Sequence, residues 1–144
     1  MTHTPEMSLP FIDTDILIRY LTGDDPKKQA QCAALLSRVE RGTLAVAAPL
    51  TVFADCIFVL SSPRLYNLPR AEVAALLMPL VRLRRLVIRN RYALIRALGL
   101  YASTSLDFGD GMIVASMQLS GATVIYSYDK DFDRVRGITR KEPS

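Results

Sequence analysis

Short apolar segments that alternate with stretches of helical periodicity constrain this chain most. "LPFI" (residues 9–12), "TLAVAAP" (43–49), "RLVIR" (85–89) and "TVIYSY" (123–128) read as strands, and "RGIT" (136–139) as a further one. Helical patterns separate them. Residues 15–23 are closed by Gly23, and residues 24–42 carry Pro26 in the first turn with Ala30, Ala33, Ala34, Leu36 and Val39 on an apolar stripe. Residues 51–62 follow the second strand, and residues 69–83, bent at Pro79, follow the "SPRLYNLP" loop. Residues 90–102 and 107–122, the latter stopped by Gly121, complete the set. This largely βα order predicts an α/β fold with a parallel sheet covered by helices on both faces.

At 144 residues the chain fits one domain, large enough to bury roughly two-thirds of its unfolded surface without a disulfide scaffold or a structural metal. Arg and Asp interrupt each apolar stretch before the roughly 18 residues that span a bilayer, so a soluble protein is expected. Residues 1–10 lack a basic region followed by an apolar core. The expectation is therefore a cytoplasmic chain, with residues 1–8 a flexible start and 9–144 a single domain. Cys32 and Cys56, in apolar or Ala-rich surroundings, read as small buried hydrophobes. The only histidine is His3, which removes His/Cys zinc sites, Ser-His-Asp triads and Cys-His pairs from this chain. Catalysis here has to use carboxylates.

In open parallel sheets, ligands bind beyond the carboxyl ends of the strands. Asp13 ends the first strand and Asp129 lies just past "TVIYSY", so both fall on that edge, where helix capping is the alternative role. Asp55 is the only charged residue in "TVFADCIFVL", with Thr51, Val52, Phe58 and Val59 as its helical neighbours. It is expected to be buried and to need a cation, either an Arg or a metal. Asp110 shares a helical face with Ile113, Val114 and Met117, while Asp107 suits an N-cap. Four semi-buried carboxylates would raise one another's pKa unless a cation sits among them, and oxygen-only donors favour Mg²⁺ or Mn²⁺. Between Val73 and Leu106 there is no acid, but Arg82, Arg84, Arg85, Arg89, Arg91 and Arg96 all occur. Such a block is either a set of solvated helix faces or a footprint for a polyanion such as RNA or DNA.

Three blocks, "FIDTDILIRYLTGDDP", "DFGDGMIVASM" and "YSYDKDFDRV", carry a resemblance to PIN-domain ribonucleases, and most closely to the VapC toxins of bacterial toxin-antitoxin pairs. The likeness runs from about Leu9 to Thr139 with the blocks in the family's order. It implies a three-layer α/β/α sandwich with a central parallel sheet of four to five strands. It also implies a Mg²⁺- or Mn²⁺-dependent endoribonuclease, a homodimer, an RNA substrate and a cognate antitoxin. Carried onto this sequence, the catalytic acids are Asp13, Asp55, Asp110 and Asp129, with Asp13, Asp110 and Asp129 as metal ligands. Asp15, Asp107, Asp131 and Ser127 become accessory residues, and Arg84, Arg89 and Arg91 the RNA-binding ones. Two positions depart from the pattern. Asp55 stands where the family usually has Glu, which leaves direct or water-mediated metal contact open, and Asp15 stands where Asn is common. Two other classes compete: a PIN-like RNA-binding or partner-binding module with little or no cleavage, and a phospho-receiver domain. Asp55, inside an apolar helix, suits no phosphoacceptor.

Overall fold

The computed structural model describes residues 9–144, so the flexible start expected for residues 1–8 and the solitary His3 lie outside the described residues. Six α-helices alternate with short strands: α1 (Thr14–Leu21), α2 (Pro26–Glu40), β1 (Val46–Ala47), α3 (Leu50–Ser61), α4 (Arg70–Val81), β2 (Leu86–Val87), α5 (Arg91–Ser103), α6 (Phe108–Ser120), β3 (Val124–Tyr126) and β4 (Thr139–Lys141). A 3₁₀ helix over Lys130–Arg134 joins β3 to β4. Local chemistry sets these limits. Asp25 caps α2 by accepting from the Lys28 amide at 3.0 Å, with Pro26 in the first turn, and Gly121 ends α6 at φ +80°.

α3 organises the core. Val52, Phe53, Cys56, Ile57 and Leu60 are buried on it, and around them pack Leu17 and Ile18 of α1, Leu36 and Val39 of α2, Val73, Leu77 and Val81 of α4, and Leu94 and Leu98 of α5. A smaller cluster of Leu106, Val114 and Phe132 anchors the C-terminal segment to α6. Both cysteines are free and buried, as the composition suggests. No helix among the described residues is long and apolar enough to cross a membrane.

All strand pairing is parallel, but it differs from the single sheet of four to five strands expected. β1 pairs with β2, and Phe11 bridges to Ala47 through Ile12 N to Ala47 O at 3.0 Å and Ala47 N to Pro10 O at 2.9 Å. Among the described residues β3 pairs only with β4, in a separate ladder. The strands are two or three residues long for identifiable reasons. Pro49, with no N–H to donate, follows β1, and Asn90, at φ +59°, turns the chain into α5 soon after β2. Val124 and Tyr126 of β3 are 44% and 69% exposed, which leaves that ladder's outer face uncovered. Helix packing, rather than a continuous sheet, supplies most of the core.

Arg91, the first residue of α5, fixes the turn between α4 and β2. Its guanidinium donates to the carbonyls of Val81, Leu83 (2.9 Å) and Leu86. These are carbonyls at the end of a helix and along the turn beyond it, which lack helical partners, and an Arg fork suits them. Burial pushes the Arg91 pKa below the usual arginine value. Arg91→Met should leave these carbonyls unpaired and lower stability by about 2–4 kcal/mol, read as an earlier denaturation midpoint with helical circular dichroism retained.

Candidate functional site

Because Phe11, β1 and β2 run parallel, their carboxyl ends share one edge, where the chain passes into Asp13, into α3 and into Arg89 respectively. Asp13 N-caps α1, its Oδ1 accepting from the Ile16 amide at 3.2 Å. Next to it, the Thr14 hydroxyl lies 3.5 Å from Asp55 Oδ2, a long contact that brings α1 and α3 together at their polar positions. Asp55 itself is exposed, on an open stripe of α3 with Thr51 and Phe58. This corrects the expectation that it is buried. Of the apolar neighbours read from the sequence, Val52 and Val59 lie at the sides of the stripe and Phe58 on it, and packing leaves the stripe itself to solvent, so Asp55 needs no compensating cation.

The second group of acids sits on α6 and the β3–β4 connection. Asp107 caps α6 by accepting from the Asp110 amide at 2.8 Å. Asp129 accepts from the Asp131 amide at 2.9 Å, and its own N–H donates to Ser127 Oγ at 2.9 Å. Asp133 faces away from this group in function: it pairs with Arg140 at 2.9 Å. Asp110 is half-buried, and its pKa is raised, first by burial and then by the charges of Asp107, Asp129 and Asp131. Acids from two separate segments are thus within electrostatic reach of one carboxylate. Asp13 and Asp129, like Asp55, are exposed rather than semi-buried. Capping occupies one oxygen each of Asp13, Asp107 and Asp129 and turns the carboxylate so that the other remains free.

The fold divides the cationic block. Arg84 and Arg85 precede β2, on the edge opposite Asp13, while Arg89 follows it on the same edge. The Arg91 guanidinium is taken up by backbone carbonyls, and Arg96 Nη1 bonds Gln118 Oε1 at 3.3 Å. Asp15 pairs with Arg19 at 3.4 Å on the exposed side of α1. Cys56 is no nucleophile at neutral pH, because burial and then the charge of Asp55 push its thiol up to about 12. Sequence reasoning missed Thr14, whose signal was its place between Asp13 and Asp15, and it passed over Arg70, discussed below.

An α/β fold with Asp13 and Asp129 beyond the carboxyl ends of parallel strands, and no histidine among the described residues, suits nucleic-acid chemistry run on carboxylates. Residues 11–138 match the family model of the PIN domain, and the chain belongs to that family. PIN domains are in general nucleases that act on nucleic acid and typically use divalent metal ions. No curated protein matches the chain. The donors fit a hard cation in kind, being oxygen-only. Among the described residues, however, no three acids stand close enough together to hold one ion.

A folded-state pKa above the unfolded value means that the native state binds more protons in the window just above the ordinary carboxylate range. Asp110 therefore opposes stability as pH rises through that window, and the penalty persists above it. Metal-free Asp110→Asn should be more stable than the wild type at neutral pH, and the difference should shrink as pH falls to about 4. Urea melts of both proteins across that range would show it; parallel profiles would assign the carboxylate no such strain.

Proposed function

We propose that the chain is a metal-dependent endoribonuclease and the toxin of a toxin-antitoxin pair, acting in the cytoplasm as a homodimer held in check by a partner antitoxin. What supports the catalytic part is membership of the PIN family, together with a half-buried Asp110 on α6 that feels the charges of Asp107, Asp129 and Asp131. On this reading Asp13, Asp110 and Asp129 would hold Mg²⁺ or Mn²⁺, with Asp55 joining directly or through a water, and Asp15, Asp107, Asp131 and Ser127 supporting them. A bound ion of this kind stabilises charge on a phosphodiester and makes water a better nucleophile at neutral pH. The chain's own contribution is to fix one oxygen of each capping carboxylate and present the other. Thr14 tethers Asp55, and Arg89 meets phosphates on the same edge, with Arg84 reaching RNA that extends past it. The toxin role, the antitoxin and the dimer rest on the likeness to VapC toxins.

A second reading, an RNA-binding or partner-binding module with little cleavage, is favoured by one observation: the acids do not gather in threes around a common point among the described residues. Incubating the protein with structured RNA and Mn²⁺, with and without chelator, separates the two. Cleavage that the chelator abolishes supports the nuclease; retention of RNA without cleavage supports the module.

If the nuclease reading holds, Asp13→Ala and Asp110→Ala should each cut the rate about 100-fold or more, the scale of losing one electrostatic stabiliser. Cys32→Ala and Cys56→Ala should stay within a few-fold. Asp55→Glu restores about 1.5 Å of reach and should keep or raise activity at low metal; a variant as inactive as Asp55→Ala would remove Asp55 from the site. Arg89→Gln should flatten the slope of log affinity against log salt by about 0.7, and Arg84→Gln by less. Equal effects at both positions would contradict the separation of the two edges.

A further inference from the structure

Arg70 has no acid partner among the described residues' salt bridges, yet its side chain is held at three points. Its Nε donates to the Tyr101 carbonyl at 2.8 Å, its Nη2 donates to the Leu106 carbonyl, and its guanidinium stacks 3.9 Å over the buried Tyr101 ring. Arg70 is the first residue of α4, the end of a helix where a cation is disfavoured by the dipole. Its place is explained by what it reaches: the last turn of α5, where carbonyls lack partners and positive charge is favoured, and the link into α6.

Leu106 is the peptide that leads into Asp107. From its carbonyl the chain passes to the Asp107 side chain, which caps α6 by accepting the Asp110 amide. On the other side, the Leu106 side chain is buried against Val114 and Phe132, and Phe132 lies between Asp131 and Asp133 in the 3₁₀ helix that Asp129 caps. One residue is thus the reference point for both acidic segments, and Arg70 ties it to α4 and the main core. The link from Thr104 to Asp107 has one further internal bond, from the Leu106 amide to Thr104 Oγ1 at 3.2 Å.

We infer that Arg70 is a positioning residue: by gripping the Tyr101 and Leu106 carbonyls it sets where the corner formed by Asp107 and Asp110 stands relative to Asp129 and Asp131. The inference deepens the proposed function, on which its metal-binding consequence rests. Only the planar fork reaches both carbonyls at once, so Lys, with one compact ammonium, keeps the charge and loses the geometry.

The test compares wild type, Arg70→Met and Arg70→Lys as full chains. Amide exchange in metal-free protein is read at Asp110, whose N–H bonds Asp107, and at Ile16, whose N–H bonds Asp13, alongside thermal melts and a titration with Mn²⁺. Arg70→Met should speed exchange at Asp110 about tenfold or more, the scale of losing one charged hydrogen bond. Ile16 should change only as far as global stability does. Mn²⁺ affinity should fall by about tenfold at temperatures well below the melt, with Arg70→Lys intermediate; if Arg70→Met does not fold, Arg70→Lys carries the comparison. Equal acceleration at Ile16 and Asp110, or Mn²⁺ affinity unchanged while the melt falls, would overturn the inference and leave Arg70 a general stabiliser. Selective exchange at Asp110 in a protein that binds no Mn²⁺ even as wild type would support the positioning and overturn the metal reading instead.

Discussion

The architecture depends on the burial of α3. Phe53, Cys56 and Leu60 are fully buried, and apolar side chains emerge around nearly the whole circumference of this helix. A helix of that kind is stable only when other elements cover it on several sides. α1 and α4 bring leucines, an isoleucine and valines to it, and β1 delivers it into their midst from the parallel ladder. What packing does not cover is the stripe of Thr51, Asp55 and Phe58. The one charge on α3 therefore emerges where α1 begins, beside Thr14. Apolar packing thus decides the address of a polar group.

Capping does similar work for the other acids. Asp13, Asp107 and Asp129 each accept a backbone amide two or three residues on. The bond satisfies a donor that a helix start leaves open, and it also fixes the carboxylate's direction. Structural and functional roles are therefore compatible in the same side chain. Asp110 is different, since it caps nothing and sits half-buried among three like charges. Burial and these charges oppose its ionisation.

Two arginines show how a cation can serve structure without an acid. Arg70 and Arg91 each bond backbone carbonyls near the end of a helix, one at the close of α5 and one at the close of α4. A planar guanidinium can satisfy several carbonyls that water would otherwise have to reach. Net charge read along the chain consequently overstates the charge offered to a polyanion. Arg89 is exposed on the acidic edge, whereas Arg91, two residues further on, is occupied.

The order of helices and strands, the capping roles open to Asp13 and Asp107, Pro26 in the first turn of α2 and the stop at Gly121 were legible in the sequence, because each depends on neighbours within a few residues. So were the three blocks that align with the PIN family, and the exclusion of histidine chemistry outside the first residues. Other features were decided only in three dimensions. Periodicity marked Asp55 as lying in an apolar helix, but which stripe stays open depends on how α1 packs against α3. The strand segments were recognisable, yet their pairing into two ladders depends on where each chain turns away and on which edges meet. The separation of Arg89 from Arg84 and Arg91 follows from parallel strand direction and from the turn between α4 and β2, which folds its carbonyls back onto Arg91. Local bonding is written in adjacent residues, whereas exposure and charge pairing are properties of surfaces that exist only once the helices have packed.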